Sequence, residues 1–163
     1  MKAESRPAQL DSPVVARAIK IGSRLNTKLY QVTGGRLGRK WRVGAGLRKP
    51  VDVCLLTTVG RKSGQPRTVP LLYLRDDGRI IVVASQGGLA SHPAWYLNIR
   101  DNPDVSIQIG STTAEYTAAT ANDTEREQLW PRLTQLYSDF DTYQAWTNRT
   151  IPVVICTPRS RQP

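Results

Sequence analysis

The sequence has a single histidine, His92, and only two cysteines, Cys54 and Cys156. One histidine argues against histidine-built metal clusters. It leaves a histidine-based hydrolase one possible base, with no nucleophile motif around it. The cysteines lack C-x-x-C spacing, so zinc and redox dithiols are poorly supported. Each lies in an apolar run, which predicts buried free thiols, with a disulfide left open if the first and last strands pair. No apolar run approaches bilayer-spanning length, the start does not read as a signal peptide, and a cytoplasmic location is expected. There is no GxGxxG, no alternation of strands and helices, and no pair of carboxylates at acid/base spacing. A chain so equipped has little machinery for difficult chemistry of its own. If it is an enzyme, a cofactor supplies the reactivity and the protein orients it.

Acid is also scarce at one end. Residues 1–49 hold twelve Lys and Arg against Glu4 and Asp11, a charge of +10, whereas residues 50–163 hold eleven of each sign. The basicity therefore belongs to an N-terminal arm (1–49) and not to the domain that follows (50–163). A nucleic-acid-binding domain needs its charge on the folded body, so nucleic acid is not an expected partner. At 163 residues the chain is long enough for one domain with a real core.

What is present falls into clear segments. Residues 1–11 are polar and expected to be loose. Ser12 and Pro13 open a helix, on which Val14, Ala18, Ile21, Leu25, Leu29 and Val32 form one apolar row. Arg17, Lys20, Arg24 and Lys28 form a parallel basic row, and Gly34–Gly35 end the helix. Two readings stand: a helix packed on the domain with a solvated basic face, or one lying on anionic lipid through residues 12–33. Residues 36–49 read as a mobile basic connector.

Strands are expected at Val51–Val59, Val69–Leu74, Ile80–Ser85, Val105–Ile109, Ala114–Thr120 and Ile151–Cys156. Short helical segments fall at His92–Arg100 and around Phe140–Trp146. A capped helix begins at Asn122 and carries Leu129, Trp130, Leu133 and Tyr137. Six strands, the first three joined by hairpins and the helices inserted late, predict a mainly β, α+β fold built on an antiparallel barrel.

Four features offer ligand chemistry, each with a plainer alternative. The Gly60–Arg67 connection joins two strands through glycines, Pro66 and the cations Arg61, Lys62 and Arg67, as a phosphate cradle or a solvated hairpin would. Ser85–Gln86–Gly87–Gly88 follows a buried strand, and Ser85 is either a rim hydroxyl or a turn residue. Trp95 and Tyr96 suit the wall of a planar ligand or simple packing. Tyr137, Phe140, Tyr143 and Trp146 recur at three-residue intervals, as a core stripe or an active-site wall.

Four blocks in order, LLTTVGRKSGQPRTVPLLYL, IIVVASQGG, HPAWYLNIRDNPDVSIQI and WPRLTQLYSDFDTYQAWTNRTIPVVIC, carry a resemblance to a known family. Over residues 12–156 the chain resembles the deazaflavin-dependent nitroreductases of mycobacteria and related actinobacteria, which include F420H2-dependent quinone reductases. The resemblance implies a split β-barrel similar to FMN-binding barrels, with reduced coenzyme F420 as hydride donor. It places Arg61, Lys62, Ser63, Gly64, Gln65, Pro66 and Arg67 on the cofactor's phosphate and acidic tail. Leu55, Leu56 and Thr57 would line the way in. Leu72 and Tyr73 would approach the ring, Val83, Ala84, Ser85 and Gln86 would border it, and Ala94, Trp95, Tyr96, Leu97 and Asn98 would wall it.

The same resemblance makes Ser85 the group that orients hydride transfer and Tyr137 a proton donor, with Tyr137, Phe140 and Tyr143 shaping the acceptor site. Phe140 departs from a family tyrosine, which counts against nitroimidazole prodrug reduction, and Gln86 stands where lysine is common. The expected activity is reduction of a quinone or another conjugated or nitro acceptor. The competing reading is a non-catalytic protein that stores or delivers F420. A monomer or weak dimer is expected, in peripheral contact with the inner face of the cell membrane.

Overall fold

The computed structural model describes Pro7 and residues 12–160, so the polar lead of residues 1–11 lies, apart from Pro7, outside the described residues. In chain order the elements are α1 (Pro13–Thr33), β1 (Lys40–Trp41), a 3-10 turn (Gly44–Leu47), β2 (Val51–Val59), β3 (Pro66–Leu72), β4 (Leu74–Asp76) and β5 (Arg79–Val83). A second 3-10 turn (Gln86–Gly88) leads to α2 (Ala94–Asp101), β6 (Asp104–Ile109), β7 (Thr112–Thr120), α3 (Asp123–Leu136), α4 (Asp139–Ala145) and β8 (Val153–Pro158).

Side chains alternate across a strand, and here the alternation sorts residues between two cores. Ile80 and Val82 of β5, with Ala84 beyond it, join Cys54, Leu56, Val154 and Cys156 inside the barrel, where Trp95, Tyr96 and Ile99 of α2 also pack. Ile81, Val83, Val153 and Ile155 face the other way, against Leu129 and Leu133 of α3 and Phe140 of α4. Burying a side chain the size of Ile81 contributes about 1.5–3 kcal/mol, so a register slip of one residue in β5 would be costly. Cys54 and Cys156 are free and buried. Burial pushes both thiols up, Cys156 to about 12, which makes them unreactive core residues.

The sheet runs β1-β2-β6-β7-β8-β5-β4, with β3 on the other edge of β2, and the pairings are antiparallel. Only Tyr73 separates β3 from β4, so one stretch of chain carries both ends of the sheet and closes it into a split barrel. Among the described residues there are eight strands where six were expected. The Val69–Leu74 run starts earlier, at Pro66, and divides at Tyr73 into β3 and β4. On its far edge β2 pairs with β6 only at Leu55–Thr57, which leaves Val51 and Asp52 open to Trp41 and Lys40 of β1. The last strand begins at Val153, two residues after the expected start at Ile151.

The capped helix forms as its sequence predicts. Asn122 Oδ1 accepts from Glu125 N and Glu125 Oε2 accepts from Asn122 N, each at 2.9 Å. Helix α1 packs on β3 through neither of its two long rows. Ser23, Asn26, Thr27 and Tyr30 turn toward the barrel. The Tyr30 hydroxyl donates to Val53 O at 3.1 Å and accepts from Gly110 N at 2.8 Å. The apolar row is left exposed, with Val14 at 76%, Leu25 at 68% and Val32 at 87% of full accessibility. The basic row beside it is also exposed. Residues 36–49 are engaged through β1 and through Ala45 N, which donates to Asp139 Oδ2 at 3.0 Å.

Candidate active site

The β2–β3 hairpin builds the basic loop. Gly60 N donates to Gln65 O at 2.8 Å and Gly64 N to Gly60 O at 2.7 Å, and Gly64 takes a φ of +67°, which favours glycine. Ser63 Oγ accepts from Gln65 N and from Arg67 Nη2, both at 3.3 Å. The loop is held from behind by Asn98, a buried side chain of α2. Asn98 Oδ1 accepts from Arg61 N at 3.1 Å, and its Nδ2 donates to Thr58 Oγ1 at 3.0 Å. Residues 61–67 are all exposed. Arg61, Lys62 and Arg67 have no acidic partner among the described residues. Three cations without a carboxylate on a pinned turn suit an anion.

The serine loop leaves the end of β5. Gln86, Gly87 and Gly88 have φ of 47°, 60° and 76°, so three successive residues are left-handed. Gly88 is buried against α4: a Cβ there would stand 2.8 Å from Tyr143 O and 3.1 Å from Trp146 Cβ. Ser85 is half-buried, and its hydroxyl makes no hydrogen bond among the described residues. Gln86 Nε2 donates to Ser91 Oγ at 3.2 Å. Arg149 holds the far end of this loop: its Nε donates to Leu89 O at 2.9 Å and its Nη2 to Ser85 O at 2.8 Å.

Residues expected to line the cofactor divide by burial. Leu55, Leu56, Tyr73, Val83, Ala84, Trp95, Tyr96 and Asn98 are buried. Thr57, Leu72, Ser85, Gln86 and Leu97 are half-buried, and Ala94 and the basic loop are exposed. Trp95 and Tyr96 meet edge to face at 6.2 Å, and the Tyr96 hydroxyl lies 3.1 Å from Thr120 Oγ1.

Among the residues expected to shape the acceptor site, Tyr137 ends α3 and its ring meets Phe140 at 5.2 Å and Tyr143 at 6.3 Å. The Tyr137 and Tyr143 hydroxyls are 3.3 Å apart. Trp41 Nε1 donates to the Tyr137 hydroxyl at 3.3 Å, and that hydroxyl lies 3.3 Å from Val43 O. Burial, then the Tyr143 hydrogen bond, pushes the Tyr137 phenol well above its ordinary value. Phe140 is core. A cavity of about 550 Å³ beside the 44–49 segment is lined by Leu47, Arg48, Lys49, Leu136 and Ser138. It contains neither Ser85 nor the basic loop, so it is not this site.

Trp41, Val43, Gln144 and Arg149 were not anticipated as site residues. The one signal was the TNRTIP block around Arg149, whose side-chain partners lie more than fifty residues away in sequence.

A profile of the F420H(2)-dependent quinone reductase family matches residues 22–158. The chain belongs to that family. A Mycobacterium tuberculosis protein that bears the family name, Rv3178, is 51% identical over 118 residues, covering 72% of this chain and 99% of its own. F420H(2)-dependent quinone reductase Rv1261c of the same organism is 36% identical over 83% of this chain and 89% of its own. Among solved structures, an F420-H2 dependent reductase, FDR-A, is 41% identical with a TM-score of 0.60, covering 64% of this chain and 92% of its own. Another, described as a domain-swapped dimer, is 33% identical with a TM-score of 0.63, covering 89% and 99%.

The residues of the two loops fit the family's cofactor on two counts. The basic loop carries cations with no internal carboxylate for an anionic tail, and Ser85 keeps an unspent hydroxyl beside a buried apolar wall.

Proposed function

We propose that the chain is an F420H2-dependent oxidoreductase that reduces a quinone or another conjugated or nitro acceptor. The observation that carries this reading is the seating of the Ser85 loop on α4, with Gly88 against Tyr143. It brings the loop that carries the unspent Ser85 hydroxyl against the helix that carries Tyr143. When bound, reduced F420 supplies the hydride. Arg61, Lys62 and Arg67 hold its anionic tail, with Ser63, Gly64, Gln65 and Pro66 shaping the turn. Ser85 Oγ bonds the ring's polar edge and orients it. Leu55, Leu56, Thr57, Leu72, Tyr73, Val83, Ala84, Gln86 and the 94–98 segment form or back the slot. Tyr137 gives a proton on the acceptor side, and Tyr137, Phe140 and Tyr143 bound the acceptor.

The test is anaerobic: mix protein, reduced F420 and menaquinone, and follow the return of deazaflavin absorbance. Reoxidation that falls sharply in Ser85→Ala supports the assignment. No reoxidation with any quinone, enone or nitroaromatic overturns the catalytic reading and favours a storage or delivery protein.

A second reading concerns α1. Its exposed apolar row beside an exposed basic row favours peripheral contact with anionic lipid at the inner face of the membrane, where lipid-soluble acceptors reside. No helix among the described residues is long and apolar enough to cross a membrane. Assembly is read as monomer or weak dimer.

A further inference from the structure

Arg149 stands in the turn between α4 and β8, and its side chain spends its donors on one segment, residues 84–92. Nη2 donates to Ala84 O at 3.1 Å and Ser85 O at 2.8 Å, and Nε donates to Leu89 O at 2.9 Å. Nη1 lies 3.2 Å from His92 Nδ1. The loop needs these bonds. The β5–β8 ladder ends at Val83 and Val153, so the carbonyls of Ala84 and Ser85 lie past the last strand partner; the guanidinium supplies the donor to Ala84 O and a second donor to Ser85 O, which also accepts from Gly88 N at 3.0 Å. A planar fork can serve three carbonyls at once where a lysine ammonium, a point charge, cannot do so at the same geometry.

The arginine is itself fixed. Gln144 Nε2 donates to Arg149 O at 2.8 Å, while Gln144 Oε1 accepts from Ile151 N at 2.8 Å and from Arg126 Nη2 at 3.0 Å. Gln144 lies on α4, one residue beyond Tyr143. The backbone of Arg149 is thus tied to the helix of the acceptor side, and its side chain to the loop of the cofactor side.

We propose that Arg149 is a positioning residue for the reaction, setting the backbone at Ser85 relative to Tyr143. This rests on the assignment of Ser85 to the cofactor ring. The contact with His92 supplies an independent reporter. A guanidinium only donates, so His92 Nδ1 accepts and the imidazole is neutral with its proton on Nε2. The charged groups facing it are Arg149 and Arg100, and the Tyr96 ring stands 5.0 Å away. Burial and these two cations hold His92 below its ordinary value.

The experiment compares Arg149→Gln and Arg149→Lys with the wild type, alone and in a Ser85→Ala background. Proton NMR of His92, the chain's single histidine, and amide exchange over residues 84–92 read the loop without any cofactor. Expected in R149Q are a rise in the His92 pKa and faster exchange confined to that loop. Binding of oxidised F420 should stay within about threefold, while kcat falls about 100-fold, the scale of a misplaced reacting group. R149K should recover part of kcat. The kcat loss should shrink in the Ser85→Ala background, because both changes act through one hydroxyl.

Unchanged loop exchange and His92 titration in R149Q overturn the proposal whatever the activity does. An equal kcat loss with and without Ser85 also overturns it. If Ser85→Ala alone leaves turnover intact while the loop still loosens in R149Q, the assignment of Ser85 fails instead.

Discussion

The α-carbon of Gly88 lies so close to Tyr143 that a methyl group added there would come within 2.8 Å of the Tyr143 carbonyl oxygen. Two segments more than fifty residues apart in sequence therefore share one packed junction, and neither can shift without the other. Gly88 also has φ of 76°, so alanine meets both a clash and a disfavoured backbone, about 1–3 kcal/mol for the backbone alone. Gly88→Ala is expected to lower the melting temperature by about 2–4 °C per kcal/mol lost and to depress kcat even where the protein is fully folded. Calorimetry with steady-state kinetics on one preparation checks both, and unchanged kcat in a destabilised protein would remove the junction from the function.

Arg61 and Lys62 have nothing to lose inside the protein, since both are exposed and lack acidic partners among the described residues. Arg61→Ala and Lys62→Ala should each weaken F420 binding about tenfold, as expected for a lost charge-assisted bond. The folding midpoint and saturated kcat should barely move, and the wild-type affinity should fall with salt. Calorimetric titration at two ionic strengths decides it.

The Tyr137 phenol stays protonated well past its ordinary range because burial disfavours its anion. If it supplies the proton, kcat should show no alkaline limb from Tyr137 between pH 7 and about 10. Tyr137→Phe should cost about 10²–10⁴ in kcat, the span of general acid catalysis. Tyr143→Phe should cost less, because Tyr137 keeps its contacts with Trp41 and Val43. A pH–rate profile of wild type and both variants is the measurement.

His92 gives a stability signature of opposite kind. Its folded pKa lies below that of the unfolded chain, so the unfolded state binds the extra proton between the two values. The neutral imidazole therefore contributes fully above about pH 6.5, and stability falls as pH drops from there through the folded pKa. The difference in melting temperature between wild type and His92→Gln should shrink from pH 7.5 to pH 5. A constant difference would show that His92 does not titrate on unfolding.

Helix α1 should behave as a separable contact. Replacing Leu25 and Val32 with Ser removes apolar surface that is mostly exposed. Binding to anionic vesicles should fall with melting temperature and F420 affinity preserved. Wild-type binding that is equal on neutral and anionic vesicles would count against the basic row. Sizing over a range of concentrations reports whether the same ridge pairs two copies.

Local chemistry made much of this legible in the sequence. The Asn122–Glu125 box and the Gly34 end of α1 depend on residues within four positions of one another, so spacing alone places them. The basic loop was equally readable, because its cations and glycines are contiguous. The family blocks, which occur in fixed order along the chain, pointed to a split barrel and a deazaflavin partner.

Tertiary structure decided what depends on distant partners. Barrel closure through Tyr73, the added strand β1 and the division of the 69–74 run follow from which edges of β2 and β5 were left open. Helix α1 shows why periodicity was insufficient: its apolar row was visible, but the barrel offered hydrogen bonds to Tyr30 and took the polar face. Arg149 went unread for the same reason. The carbonyl of Ala84 acquires its need for a donor only when β5 meets β8 and the ladder runs out. A sequence states which groups can bond locally; only the packed fold determines which are left needing a partner.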